Sequence, residues 1–203
     1  MKDKKNIGLY FGTFNPIHVG HLIIANHIAN YSNLDEVLLV ISPQNPLKKQ
    51  KSLLEDYHRL NLVKIAIEDN PKLKVSDIEF SLAKPSYTSL TLIHLQEKYP
   101  SNNFSLIMGE DNLRGFHKWK NYEDILLKHK IIVYPRSLLD YEKTNLFSNN
   151  LNKHPQVSFC NAPIMNISSS FIRNAIKENK NISYMLTKPV AKYIEEMHFY
   201  KSY

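Results

Sequence analysis

One cysteine, Cys160, stands in a chain of 203 residues. That count excludes an intramolecular disulfide and any multi-cysteine zinc site, and it predicts a cytoplasmic setting. Glycine is also scarce, at five. Most of these positions are therefore expected to serve a specific backbone purpose, and two of them, Gly12 and Gly109, close strand-like runs. No apolar run approaches the ~18 residues that would suggest a membrane span. The opening "MKDKKNIGLYFG" is charged and then strand-like, without the apolar core and cleavage site of a signal peptide. There is no internal repeat and no low-complexity tract.

A hydrophobic content of 43% is enough for a sizeable core. It predicts one domain over 1–203, with a core over about 1–165 and a small helical part over about 166–203. The net charge of +7 and the pI near 9.3 favour anionic partners. The lysines are scattered rather than gathered in one tract, which suits a phosphate-bearing small molecule at least as well as nucleic acid.

Short apolar runs alternate with segments of helical period. Strands are expected at 6–11, 36–42, within 73–80, and at 103–109, 130–135 and 156–162. Helices are expected at 21–32, 53–69, from Ser86 or Thr88 onward, at 122–129 and 168–179, and at the C-terminus. Residues 137–155, rich in Asn, Ser and Lys, read as a long loop. Alternation of this kind predicts an α/β, Rossmann-like, doubly wound parallel sheet of five to six strands with helices on both faces. Ligands would then sit beyond the carboxyl ends of the strands, which is where the unusual residues cluster.

The first cluster is "GTFNPIHVGH", residues 12–21. Should Gly20 or His21 open a helix, its free N–H groups favour an anion, and His18 and His21, three apart, share a face and can offer ring N–H donors to phosphate oxygens. Thr13 adds a hydroxyl, and Gly12 and Gly20 would let a nucleotide pack on bare backbone. The plain alternative is a pair of solvated histidines. The second cluster is "NISSSFIRNAIK", residues 166–177, where Ser168 or Ser169 is a natural N-cap and Arg173 follows about one turn later. Its plain alternative is an ordinary serine cap with a surface arginine.

"GTFNPIHVGH" resembles the HxGH signature of the nucleotidyltransferase superfamily, and "ISSSFIR" resembles its ISSTxIR signature. "SPQNPLKK", "PSYTSLTL", "MGEDNLRGFHKWKN" and "YPR" are similar to the intermediate motifs of the nicotinate-nucleotide adenylyltransferase family. The likeness runs from Ile7 to about Met197. It implies transfer of AMP from ATP to nicotinate mononucleotide, with pyrophosphate released and Mg²⁺ carried mainly by phosphate oxygens and water. By the same resemblance His18, His21 and Arg173 stabilise the phosphates. Gly12, Thr13, Phe14, Gly109, Asp111, Ile167, Ser168 and Ser169 hold ATP, Asp111 having a helix N-cap as its alternative role. Asn15, Lys48, Tyr87, Thr88 and Trp119 receive the mononucleotide, Trp119 having core packing as its alternative.

Three positions depart from the family pattern. Phe11 replaces a frequent glycine, Asn15 a more usual aspartate, and Leu47 a common histidine beside Lys48. Competing readings are nicotinamide mononucleotide or phosphopantetheine as acceptor, a basic nucleic-acid-binding module, and a non-catalytic nucleotide sensor. A homo-oligomer is allowed by the sequence, and no membrane or nucleic-acid partner is expected.

Overall fold

A computed structural model describes residues 4–43, 53–136 and 148–201. Six parallel strands form one sheet: β1 (Asn6–Gly12), β2 (Glu36–Ile41), β3 (Leu73–Ser76), β4 (Asn103–Gly109), β5 (Lys130–Tyr134) and β6 (Val157–Phe159). Their order is β3-β2-β1-β4-β5-β6. The order reverses between β1 and β4, so the crevice beyond Gly12 and Gly109 is the topological switch point of the sheet.

The middle strands are apolar almost throughout because both of their faces are covered. From β1, Tyr10 enters one core layer with α1 (Val19–Tyr31), α2 (Asp56–Ala66), α6 (Ser169–Lys177) and α7 (Lys188–Glu196). Ile7 and Leu9 enter the other, with α3 (Thr88–Lys98), α4 (Glu110–Arg114) and α5 (Tyr122–Lys128). The C-terminal helices bury Ile172, Val190 and Ile194 in the same layer as Tyr10, so they complete the main core.

The expected elements are present with adjusted ends. The polar "EDN" after β4 lies within helix α4, and "FHK" forms a 3-10 turn over Phe116–Lys118. The segment expected to be loop over 137–155 contains a 3-10 turn at Ser148–Lys153, with Leu151 buried in the second core layer. An apolar anchor of that kind holds a polar stretch in place although the stretch has no periodicity to signal it.

At Gly12 the close approach comes from within the protein. A Cβ there would stand 2.8 Å from the tip of the Phe14 ring and 3.0 Å from its two flanking carbons. Phe14 is 2% exposed, has a positive φ of 44° and packs edge-on against Tyr10 and His21. Its ring has nowhere to retreat, so Gly12→Ala is expected to cost about 1–3 kcal/mol by overpacking, read as a lowered melting temperature.

Candidate active site

The loop after β1, the start of α4, the end of β5 and the start of α6 enclose a cavity of about 270 Å³. It gathers Gly12, Thr13, Phe14, His18, His21, Asp111, Ile167, Ser168, Ser169 and Arg173, which the sequence scatters over 162 positions (173 less 12, counted inclusively). Four further lining residues, Tyr10, Asn112, Tyr134 and Arg136, were not singled out from sequence. The motif "YPR" covers Tyr134 and Arg136, and "MGEDNLRGFHKWKN" covers Asn112, but neither motif assigned them a role.

His18 is the N-cap residue of α1. Its ring stacks on that of His21 with centroids 3.7 Å apart, and it is 5% exposed with Nδ1 buried and unpartnered. His21 Nδ1 accepts from the His18 backbone N–H at 3.3 Å. An accepting Nδ1 leaves the proton of neutral His21 on Nε2, so that nitrogen is a donor. Burial, with the Arg136 guanidinium second, lowers His18 to about 4. Burial, then His18 and Arg136, lowers His21 well below the usual range. Two stacked, dry imidazoles facing an arginine resist protonation until an anion arrives.

These shifts set a pH dependence for folding. The unfolded chain takes up protons at its histidines near pH 6.5, whereas native His18 does so only near 4. Stability is therefore fully present above about pH 6.5 and is lost as pH falls toward 4. From pH 7 to 5 the loss assigned to His18 is on the order of 2 kcal/mol. Melting curves at the two pH values check this, and His18→Ala should shrink the difference.

Arg173 donates through Nη1 to the Asn15 carbonyl at 2.8 Å and through Nη2 to Ser170 Oγ at 3.2 Å. Ser168 Oγ accepts from the Phe171 N–H at 3.2 Å and is the N-cap of α6. Ser169 Oγ donates to the Pro16 carbonyl at 2.9 Å, so its proton is committed to joining the two loops. The anion-binding capacity at this helix start therefore rests on backbone N–H groups, Ser170 and the guanidinium more than on a run of three free hydroxyls.

Asp111 lies in the first turn of α4, whose N-cap is Gly109, so the alternative of an Asp111 N-cap does not hold. Its Oδ1 is 3.5 Å from Arg136 Nε across the cavity mouth. A Cβ at residue 109 would crowd Asp111 Oδ1 and stand 3.2 Å from Arg136 Nε and from the Tyr134 ring, so glycine lets these side chains keep their places. Arg136 also reaches the Tyr134 hydroxyl at 3.4 Å, and that hydroxyl lies 3.4 Å from the one on Tyr10.

Asn15 is 1% exposed. Its Oδ1 accepts from the Tyr200 hydroxyl at 2.7 Å and from the Leu54 N–H at 3.3 Å, so this oxygen serves to fix the loop. Tyr87 and Thr88 form the start of α3, outside the cavity around the histidines. The Lys120 ammonium sits 4.5 Å from the centre of the Tyr87 ring, which brings the segment carrying Trp119 beside that helix start. Trp119 is half-buried, edge-on to Phe116 at 5.3 Å. The core contact weighed as its alternative and a partly exposed ring thus coexist. Lys48 lies outside the described residues. Among the described residues no group of three His, Cys, Asp or Glu side chains is placed to hold a metal, and no helix is long and apolar enough to cross a membrane.

A fold with two helix starts and two arginines converging on a switch-point cavity defines a nucleotide-binding α/β protein. The model of the cytidylyltransferase-like family matches residues 9–175. A protein of Flavobacterium psychrophilum named as a probable nicotinate-nucleotide adenylyltransferase is 58% identical over 96% of this chain and 98% of its own. One of the same name from Christiangramia forsetii is 55% identical over 97% and 99%. The solved nicotinic acid mononucleotide adenylyltransferase of Plasmodium falciparum in complex with NaAD shares 25% identity, covers 97% of both chains and superposes with a TM-score of 0.78. The chain belongs to the cytidylyltransferase-like family and, within it, to the nicotinate-nucleotide adenylyltransferases.

Proposed function

We propose that this chain transfers the adenylyl group of ATP to nicotinate mononucleotide. A 5′-phosphate oxygen of the mononucleotide forms a bond to the α-phosphorus of ATP, the bond to the β-phosphate bridging oxygen breaks, and pyrophosphate leaves. The attacking oxygen is already anionic, so the protein supplies no nucleophile or base, only position and charge stabilisation. The observation that carries this reading is the stacked His18–His21 pair in the same cavity as Arg173 and Arg136.

In this reading His18 and His21 donate to the phosphate oxygens that gain charge in flight. Arg173 and the start of α6 hold the departing pyrophosphate. Asp111 accepts from ribose hydroxyls, and Arg136, on contact with the anion, exchanges Asp111 for a phosphate. The residues present fit a metal that travels with the substrate: the cavity is rich in N–H donors, and its lining carboxylate, Asp111, is paired with an arginine. Mg²⁺ would thus be held by phosphate oxygens and water, where it supplies charge neutralisation. On the far side of the site, the backbone N–H groups at Tyr87 and Thr88 receive the pyridine carboxylate near Lys120, and the exposed part of Trp119 stacks on the pyridine ring.

The test is pyrophosphate release from ATP and Mg²⁺ with nicotinate mononucleotide, nicotinamide mononucleotide and phosphopantetheine supplied separately. Release with the first and little with the others is expected. Release with phosphopantetheine alone would overturn the pyridine side of the reading. Silence with all three from folded protein would overturn the whole.

A further inference from the structure

Glu79 is a carboxyl buried to 2% exposure in the 3-10 turn Ile78–Ser81 that follows β3. It lies outside the cavity around the histidines. Its Oε1 accepts from Thr91 Oγ1 at 2.7 Å, and Thr91 is fully buried on α3. The backbone carbonyl at the start of that helix, Tyr87 O, accepts from the N–H groups of Leu90 and Thr91 and lies 3.3 Å from the same Thr91 hydroxyl. Around the carboxyl stand the hydroxyls of Ser42, just beyond β2, and Ser86, just before α3. Glu79 Oε2 and the Oγ atoms of Ser86 and Ser89 are buried without a close hydrogen-bond partner.

A carboxyl in a dry interior costs several kcal/mol unless its hydrogen bonds are made, so a lone structural role is a poor reason to place one where Leu or Met would pack. Its geometry is more informative than its charge. One oxygen grips the first turn of α3 through Thr91, and the carboxyl also stands near the Ser42 and Ser86 hydroxyls, at the end of β2 and the approach to α3. We propose that Glu79 is a positioning residue for the pyridine side of the site, fixing the α3 start so that the Tyr87 and Thr88 N–H groups meet the mononucleotide carboxylate. This rests on the functional reading above.

Steady-state kinetics of Glu79→Ala, Glu79→Gln and Thr91→Val, with each substrate varied in turn, test the assignment. Misplacing a binding turn by less than an ångström is expected to raise the KM for nicotinate mononucleotide about tenfold in Glu79→Ala, with the KM for ATP within about twofold. Glu79→Gln keeps an acceptor for Thr91 and offers an amide to the serines, so it should recover most of the loss. Thr91→Val removes the same grip without touching the carboxyl, should shift the same KM, and decides the matter if Glu79→Ala does not fold. Equal rises in both KM values, or no change in the mononucleotide KM, would overturn the role of Glu79. A wild-type enzyme inactive with nicotinate mononucleotide would instead overturn the functional reading beneath it.

Discussion

His18→Ala is expected to lower kcat by about 10²-fold or more while leaving the KM for ATP within a few-fold, as found when one preorganised donor is removed from a developing oxyanion. The split follows from where the ring sits. His18 is buried, stacked on His21 and lowered to about 4, so it enters the reaction as a neutral donor. A neutral N–H interacts modestly with a resting triphosphate, and it gains most when charge accumulates on the oxygens between the entering and leaving groups. In the proposed reading, ground-state affinity for ATP comes instead from Arg173, Arg136 and the helix starts. Burst-free initial rates with both substrates saturating, and a parallel ATP titration, separate the two parameters. A loss that appeared wholly in KM would make His18 a binding residue; unchanged kinetics would remove it from the site. His21→Ala is a harsher change, because His21 Nδ1 also accepts from the His18 N–H and its ring touches Phe14.

How much of this was legible beforehand depends on whether a residue acts through its neighbours in sequence or through distant ones. The alternation of apolar runs is local, and it predicted the parallel sheet with helices on both of its faces. The two histidines, the serine cap and Arg173 are likewise local, since each belongs to a helix start whose chemistry is set within a few residues. Asn15 was different. The family resemblance placed it among the mononucleotide contacts, and its oxygen also accepts from Tyr200, 185 positions away, a bond that no short-range pattern announces. Arg136 was visible only as part of "YPR", because its relevance depends on Gly109 and Asp111 standing beside it across β4 and β5. Nothing local in "SDIEF" marks Glu79, because its burial depends on Thr91 and Ser86, which lie on and beside a later helix. Arg59 did leave a trace. With Leu62 and Val63 it falls at i, i+3 and i+4 on the buried stripe of α2, a place where a solvated arginine does not belong.

Arg59→Met is therefore expected to be strongly destabilising. The side chain is fully buried, and all five of its N–H donors are used. Nε donates to the Leu54 carbonyl at 3.0 Å, and Nη1 donates to those of Thr13 at 2.7 Å and Ser42 at 2.8 Å. Nη2 donates to the Pro43 carbonyl at 3.3 Å and to Asp56, with which it forms an ion pair. One guanidinium thus gathers the loop after β1 and both flanks of the segment between β2 and α2. Methionine matches much of its volume but leaves four carbonyls without these donors. At about 1–3 kcal/mol for each one that water cannot reach, a total loss of about 2–6 kcal/mol follows even if half are rehydrated. For a domain of this size that is a fall of roughly 10 °C in Tm. Arg59→Lys, with three donors on a flexible stem, should recover only part of it. Because Thr13 flanks the histidines while Ser42, Pro43 and Leu54 flank the segment that carries Lys48, any folded Arg59 variant should weaken both substrates together. That outcome contrasts with Glu79, whose loss is expected to fall on the mononucleotide alone. A variant melting within about 1 kcal/mol of the wild type would mean that the carbonyl cluster finds water, and that the fork of Arg59 is a convenience of packing rather than the joint of the two loops.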